Sequence, residues 1–369
     1  MIKALNTLPG TGRRIGDSKR KAGSLMKRIK RLAGWLILIG TGVLLGCGYR
    51  PQVIKNEALP EYVFTYAENQ PEGYPTTLAA ERFADLVYAR TGGRIKIKIH
   101  AGGVLGDEVS VIEQLQYGGI DFARASIMTM GQFDPKMNVL QLPYLYQDAD
   151  HMWAVLDGEI GAEFMAGLEE YDLKALSWYD AGARQIYTNE PIASLADLKG
   201  KRIRVAESDL MKSVISAFGG IPVPIGYLDV FSALETGEIS GAENNWPSYI
   251  FTNHYKVAQY VYLDEHNRIP ELQLVSQATW DQLSESDRQI IRSCARESAE
   301  YERTLWAMQE RDSRVLAERS GVIVTEMTDA ERQRFQAAVG VIYEEYGEEY
   351  REVIDKIISL GGTDDLSGY

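Results

Sequence analysis

The sequence predicts an α/β fold with largely parallel strands, built as two domains that one long helix crosses. Strand-like and helix-like segments alternate from residue 61 to residue 236, a pattern typical of parallel sheets connected by helices. After Leu272 the pattern changes to long helices, and from Ser286 it is almost uninterrupted helix up to Arg319. A helix of about 33 residues spans roughly 50 Å. Because that length exceeds one domain, and because the chain is long enough for two, the helix is expected to cross both.

Local spacing supports the elements in turn. Residues 94–99 alternate isoleucine with charged residues, as a half-buried strand does. Residues 106–117 carry acids in their first turn, which favours a helix start there. Ser286 and Gln289 are spaced as the capping box of the long helix. The remaining segments predicted as strands or helices are 61–67, 77–90, 120–125, 148–168, 173–179, 184–188, 203–205, 208–218, 222–225 and 227–236.

The N-terminal segment is not expected to belong to the folded part of the chain. Four basic residues precede an apolar run at 32–45, which is too short to cross a bilayer comfortably and is typical of an export signal. A Leu-Leu-Gly-Cys sequence ending at Cys47 resembles the box at which bacterial lipoprotein signals are cut and lipidated. Residues 1–46 are therefore predicted to be a lipoprotein signal peptide, Cys47 the lipidated residue and residues 47–59 a polar tether. The alternative is an uncleaved N-terminal anchor.

Charge and cysteine content narrow the possible partners. Residues 1–46 hold ten of the 39 Lys and Arg residues and one of the 52 acids, so the mature chain carries a net charge of −22. A surface this acidic repels nucleic acid and anionic membrane, so no nucleic-acid partner is expected. Cys294 is the only cysteine besides Cys47, so no internal disulfide is available once Cys47 carries lipid. An anionic ligand would need a locally positive pocket.

The sequence lacks the motifs of common active sites. None of the four histidines lies three or four residues from another histidine or a cysteine, so no zinc site is recognisable. No nucleophile elbow, phosphate-binding loop or dinucleotide fingerprint is present. Glu235, Glu238 and Asp229 could supply acid and base, but their spacing is that of a solvated helix surface. No metal, cofactor or catalytic residue is predicted.

Three arginines in small or apolar surroundings are candidate binding residues. Arg204 lies between Ile203 and Val205 in a predicted strand, and Arg184 and Arg124 lie in comparable segments. Arginine is almost never buried without an anionic partner. For Arg204 that partner is either an internal acid or the carboxylate of a ligand, which the planar guanidinium binds through two parallel hydrogen bonds.

The loop before Pro247 supplies further polar groups. Asn244 and the indole of Trp246 are candidates to face a ligand from this loop. Alternatively, Asn244 or Asn245 caps a helix that has Pro247 in its first turn. The two roles are compatible with each other.

Taken in order, several segments resemble one protein family. These segments, within residues 60–350, are 102–119, 142–144, 182–184, 197–205, 233–237 and 241–244. They resemble the extracytoplasmic solute receptors of tripartite ATP-independent periplasmic (TRAP) transporters. The resemblance implies a two-domain periplasmic binding protein that closes on an organic acid in the cleft between its domains. It also implies, as partners, a small and a large integral membrane subunit driven by an ion gradient.

The resemblance implies binding residues as well. Arg204 matches the arginine that binds the ligand carboxylate, by its place after the Asp-Leu-Lys-Gly turn at 197–200. Other positions that match the family's pocket are Glu68, Asn69, Glu108, Arg124, Ser126, Arg184, Glu207, Tyr227 and Asn244. The predicted domain limits are 60–181 with 270–309 for domain I and 182–269 with 310–360 for domain II.

Two segments resemble the branch of the family that takes sugar acids such as D-glucuronate and D-galacturonate. These are residues 148–153 and the long form of the loop at 243–249. A hexuronate has one carboxylate for Arg204 and several hydroxyls for carboxylate and amide groups of the pocket. A C4-dicarboxylate would need a second cation, which Arg124 or Arg184 could supply. The remaining alternatives are a periplasmic enzyme acting on a uronate and a structural lipoprotein without a ligand.

Overall fold

The computed structural model describes residues 59–362. The predicted signal peptide 1–46, Cys47 and nearly all of the tether 47–59 lie outside the described residues. Within the described range, no helix is both long and apolar enough to cross a bilayer. The prediction of an α/β fold is confirmed, because helices connect the strands of two separate sheets.

Within residues 59–362, eleven strands form the two sheets. In chain order they are β1 (Tyr62–Ala67), β2 (Ile95–His100), β3 (Phe122–Ser126), β4 (Leu173–Tyr179), β5 (Ala183–Thr188), β6 (Arg202–Val205), β7 (Ile221–Pro224), β8 (Gly241–Asn244), β9 (Tyr260–Arg268), β10 (Glu271–Ser276) and β11 (Ile323–Glu326).

Thirteen α-helices accompany these strands in the same part of the chain. They are α1 (Pro75–Arg90), α2 (Glu108–Gln116), α3 (Ile127–Met130), α4 (Ala149–Leu156), α5 (Glu159–Gly167), α6 (Asp209–Ala217), α7 (Val230–Glu235), α8 (Trp246–Phe251), α9 (Gln277–Gln282), α10 (Glu285–Arg319), α11 (Asp329–Ala338), α12 (Gly340–Gly347) and α13 (Arg351–Leu360). Short 3₁₀ segments lie at Pro135–Gln141, Leu168–Tyr171, Leu195–Leu198, Tyr227–Asp229, His254–Lys256 and Glu348–Tyr350.

The two sheets mix parallel and antiparallel strands. The first has the strand order β2-β1-β3-β10-β4 and the second the order β11-β9-β5-β8-β6-β7. Strand β10 is antiparallel to β3 and β4, and β5 is antiparallel to β8 and β9, whereas the other pairs are parallel. Strands β5 and β10 are therefore the two exceptions, within the described residues, to the predicted largely parallel arrangement. Each of them enters its sheet directly from the other sheet and runs in the reverse direction.

Two short connections carry the chain between the sheets. Residues 180–182 join β4 to β5, and residues 269–270 join β9 to β10. Gly182 has a φ of +61°, and a Cβ there would lie 2.8 Å from Trp306 Nε1 on α10. Because only glycine adopts this conformation without strain, the close packing of this connection against α10 depends on Gly182. The predicted domain limits at 181/182 and 269/270 fall at these connections, whereas the limit at 309/310 falls inside α10, and all of them stay a prediction.

Helix α10 is the long helix that the sequence predicts, with 35 residues and a length of about 50 Å. It packs against α1 and β4 on the side of the first sheet and against α8 on the side of the second. Its N-cap is Ser284, whose hydroxyl accepts a hydrogen bond from the Asp287 N–H at 3.1 Å. The capping box predicted at Ser286 is wrong, because Asp287 and not Gln289 occupies the third helical position.

Buried aromatic and aliphatic side chains fill the space between the first sheet and its helices. Phe83 on α1 and Phe122 on β3 are fully buried, with ring centres 5.6 Å apart. Strand β2 alternates as predicted, with Ile95 and Ile97 buried and the lysines between and after them exposed. These lysines lie on an edge strand of the sheet, where charge discourages pairing with another chain.

Candidate ligand-binding site

A cavity of about 400 Å³ lies between the two sheets and has the size of a pocket for a small organic ligand. Nine of the eleven predicted binding residues line it. From the side of the first sheet these are Asn69, Glu108, Arg124 and Ser126, and from the side of the second sheet Arg184, Arg204, Glu207, Tyr227 and Asn244. Contact of each with a ligand stays a prediction.

Arg124 on β3 is surrounded by three carboxylates. Its guanidinium donates to Glu68 at 2.9 Å, to Glu108 at 2.7 Å and to Glu271 at 3.2 Å, and the Arg124 side chain is 1% exposed. Burial, together with the charges of Glu108 and Glu68, raises the pKa of Glu271 to about 8 although Arg124 opposes the shift. Protein acids therefore satisfy Arg124 fully, and this group of four carries more negative than positive charge.

Arg184 on β5 belongs to a buried chain of alternating charges. It forms a salt bridge with Glu243 on β8, and His266 lies 3.6 Å beyond that carboxylate and 2.7 Å from Asp264. Although burial opposes the shift, the two acids raise the pKa of His266 to about 9. Burial would raise the pKa of Glu243, but Arg184 and His266 outweigh it and lower this pKa to about 2. With all four groups charged the chain is neutral, so Arg184 is compensated within the protein.

Arg204 on β6 has no such compensation. It is 4% exposed, and its Nε donates to the Ile225 carbonyl at 2.8 Å. Within residues 59–362, its two terminal nitrogens have no hydrogen-bond acceptor and no acid at salt-bridge distance. Burial lowers the pKa of Arg204, and the charge of Glu243 is the largest influence that opposes this shift. Of the two partners that the sequence allowed for Arg204, an internal acid is thus excluded in this part of the chain.

The segment from Asn244 to Pro247 provides both a helix cap and a cavity-lining side chain. Asn245 is the N-cap of α8, and its side chain accepts a hydrogen bond from the Ser248 N–H at 2.8 Å. Asn244 lines the cavity, and its side-chain oxygen accepts from Arg184 at 3.0 Å. The cap therefore fixes the chain direction that presents Asn244 to the cavity.

Hydrogen bonds join the two walls of the cavity. Gln132, on the side of the first sheet, donates to the carbonyl of Glu207 on the opposite side. The hydroxyls of Tyr74 and Ser248 also meet across the walls at 2.9 Å. The walls are therefore in contact around the cavity.

Two predicted binding residues lie outside the cavity lining. Glu68 is buried behind Arg124, where one carboxylate oxygen accepts from both Nε and Nη2. Trp246 is the first residue of α8 and packs against Tyr249 and under the guanidinium of Arg314. Glu68 pairs with Arg124 and Trp246 packs against Tyr249, so neither lines this cavity, and contact of either residue with a ligand stays a prediction.

Glu271 and Glu243 were not among the binding residues predicted from the sequence. Glu271 is the first residue of β10, and the chain connection at 269–270 brings it to the cavity wall. Glu243 lay within a recognised motif, but its pairing with Arg184 follows from the antiparallel register of β5 and β8. Each of them is the only acid of its strand, and this was the signal available for both residues.

The two walls differ in the chemistry that they offer a ligand. Arg204 can bind an anionic group, whereas Glu108 and Glu271 can accept hydrogen bonds from hydroxyls. Both histidines near this region are buried: His254 is hydrogen-bonded to Tyr187, and His266 is hydrogen-bonded to Asp264. No group of acids, histidines and cysteines in residues 59–362 is arranged to hold a metal ion. The fold and the cavity define a two-domain solute-binding protein.

Comparison with known proteins agrees with this class. Residues 66–349 match the family described as bacterial extracellular solute-binding protein, family 7. A solute-binding protein of Chromohalobacter salexigens is 40% identical over 77% of this chain and 84% of its own. The chain belongs to this family.

Two crystal structures of TRAP periplasmic solute-binding proteins are similar to this one. That from Xanthobacter autotrophicus, with bound β-D-galacturonate, has a TM-score of 0.78 and 38% identity over 80% of this chain and 99% of its own. That from Roseobacter denitrificans, with bound β-D-glucuronate, has a TM-score of 0.78 and 37% identity over 82% of this chain and 100% of its own.

The protein without ligand is expected to lose stability as the pH rises from about 5 to about 9. Folding raises the pKa of Glu271 to about 8, of Glu310 to about 7 and of His266 to about 9. Each group stabilises the fold below its unfolded pKa and loses that contribution as the pH rises through its folded pKa, at about 1.4 kcal/mol per pH unit. Glu243, with a pKa of about 2, acts in the opposite direction and only in acid. Urea unfolding at several pH values measures the profile, and stability that rises toward pH 9 would contradict it.

Proposed function

We propose that this protein is an extracytoplasmic receptor that binds D-glucuronate, D-galacturonate or a similar sugar acid and delivers it to the membrane subunits of a TRAP transporter. Arg204 carries the proposal, because it lines the cavity without an internal acid to compensate it. A ligand carboxylate supplies that missing charge. The hexuronates bound by the two structural relatives support the same ligand class.

A receptor for C4-dicarboxylates is the alternative. A second carboxylate would need a second uncompensated cation, and Arg124 and Arg184 are each paired with acids of the protein. The acid-rich wall around Arg124 would also repel a second carboxylate of the ligand. Hydroxyl groups, in contrast, donate to these acids without adding charge, which favours the sugar acid.

The receptor is proposed to act without chemical turnover and to be anchored in the periplasm by lipid at Cys47. Family membership supports a binding role, and the Leu-Leu-Gly-Cys sequence supports the anchor. Labelled palmitate should be incorporated by the full chain and not by Cys47→Ala.

Two domains are proposed to close on the ligand, one formed by 60–181 with 270–309 and the other by 182–269 with 310–360. Small-angle scattering should therefore show a smaller radius of gyration with ligand.

A thermal-shift screen of the mature chain tests the function. Hexuronates are expected to stabilise it, by about 2.7 kcal/mol at a concentration 100 times the Kd. Aldonates and C4-dicarboxylates serve as competing classes. A shift with C4-dicarboxylates alone would establish the alternative, and consumption of the uronate would identify an enzyme. The absence of any shift would favour a structural lipoprotein.

A further inference from the structure

We propose that the carboxylate-rich wall around Arg124, with Glu271 at the cavity surface, makes the site selective for sugar acids with one carboxylate and excludes the corresponding sugar diacids. This inference rests on the proposed function. It deepens that function by specifying the end of the ligand that lies opposite Arg204.

Glu271 has an oxygen that lacks a donor. The residue is 7% exposed and lines the cavity at the start of β10. One carboxyl oxygen accepts from Arg124 at 3.2 Å, whereas the other accepts no hydrogen bond from residues 59–362. That oxygen is buried, and a buried polar atom without a partner is costly, which disfavours the ionised form of Glu271.

The charges of this wall do not balance. Arg124 is the cation shared by Glu68, Glu108 and Glu271, so the group has a charge of −1 when Glu271 is protonated and −2 when it is ionised. Arg184, the next cation in the cavity lining, is compensated by Glu243. These acids would therefore repel a second ligand carboxylate, and neither Arg124 nor Arg184 is free to offset the repulsion. Such repulsion discriminates strongly against a ligand. A hydroxyl in the same position adds no charge.

The charge of Glu271 changes in an accessible pH range, because burial raises its pKa to about 8. Its ionisation is influenced by charged or titratable groups from every neighbouring element. These are Glu68, Tyr74, Glu108, Arg124, Arg184, Tyr227 and Glu302. Discrimination against the diacid should therefore increase as the pH rises through about 8.

Calorimetric titration at pH 6.5 and pH 8.5 tests the inference with D-glucuronate and its diacid, D-glucarate. At pH 6.5 the mature protein is expected to bind D-glucarate at least about tenfold more weakly than D-glucuronate. At pH 8.5 this difference in affinity should be larger. Glu271→Gln keeps the shape of the side chain but cannot ionise, so the widening should disappear. Glu235→Gln, on the exposed surface of α7, changes net charge equally and should retain the widening.

The outcomes separate this inference from the proposed function. Binding of glucuronate and glucarate with equal affinity would overturn the inference and leave the sugar-acid receptor standing. Failure to bind any hexuronate would overturn the receptor proposal itself. A gap that widens equally in the native protein and in Glu271→Gln would remove Glu271 from the role given to it.

Discussion

Replacing Arg204 by alanine is expected to abolish sugar-acid binding while the protein remains folded. Removing one partner of a buried, hydrogen-bonded charge pair costs about 2–5 kcal/mol of binding free energy, or roughly 30-fold to several thousandfold in Kd. Within residues 59–362, no acid at salt-bridge distance depends on Arg204, so no buried carboxylate is left unpaired. We therefore expect the unliganded variant to keep its stability within about 1 kcal/mol.

Calorimetry with D-glucuronate and urea unfolding of the unliganded protein measure the two effects separately. Arg204→Lys is the matched control, because it keeps the charge and loses the planar fork that binds a carboxylate with two hydrogen bonds. We expect it to bind weakly. A large loss of stability in unliganded Arg204→Ala would contradict this reasoning and indicate an internal ion pair.

Replacing Arg184 by methionine is expected to have the opposite signature, with a loss of about 3–5 kcal/mol of unfolding free energy. Glu243 is fully buried and would lose the cation that holds it, while Asp264 and His266 remain beside it. An uncompensated charge in the protein interior is far more costly than a missing pair. The native protein without ligand is the reference state.

Urea unfolding of Arg184→Met provides the measurement, and the double variant with Glu243→Gln provides the control. Removing the charge of Glu243 should restore part of the stability that the single substitution loses. The two sites are in contact, so their effects should not add. Equal stability of the single variant and the native protein would show that the buried charges are compensated in another way.

The three arginines illustrate what sequence reasoning could and could not reach. Each lies among small or apolar residues, which correctly indicated burial. The partner of each depends on another strand, such as Glu243 on β8, which is 59 positions from Arg184 in the chain. Local patterns carry no information about that register, so only the family resemblance separated Arg204 from Arg184 before their neighbours were known.

The fold shows the same division between local and distant information. The alternation of β2 and the length of α10 follow from spacing within each segment, and both predictions are confirmed. The direction of β5 and β10 depends on where the chain leaves one sheet for the other, which no local pattern encodes. Trp246 was expected to face the cavity from its loop, but it is the first residue of α8 and lies outside the cavity lining, a packing outcome that the local sequence does not encode.

The position of β10 in the first sheet has a consequence for how the protein is made. Within the described chain, β4 is hydrogen-bonded to β10 alone, and β10 separates β4 from β3. Ser177 on β4 donates to Gln273 on β10, a residue 96 positions later. A chain that emerges from its N-terminus must hold β4 with both edges open until residues near 276 arrive, which makes folding slow and the intermediate prone to aggregate. Strand β4 can therefore complete its pairing only after about 100 further residues of the chain are available.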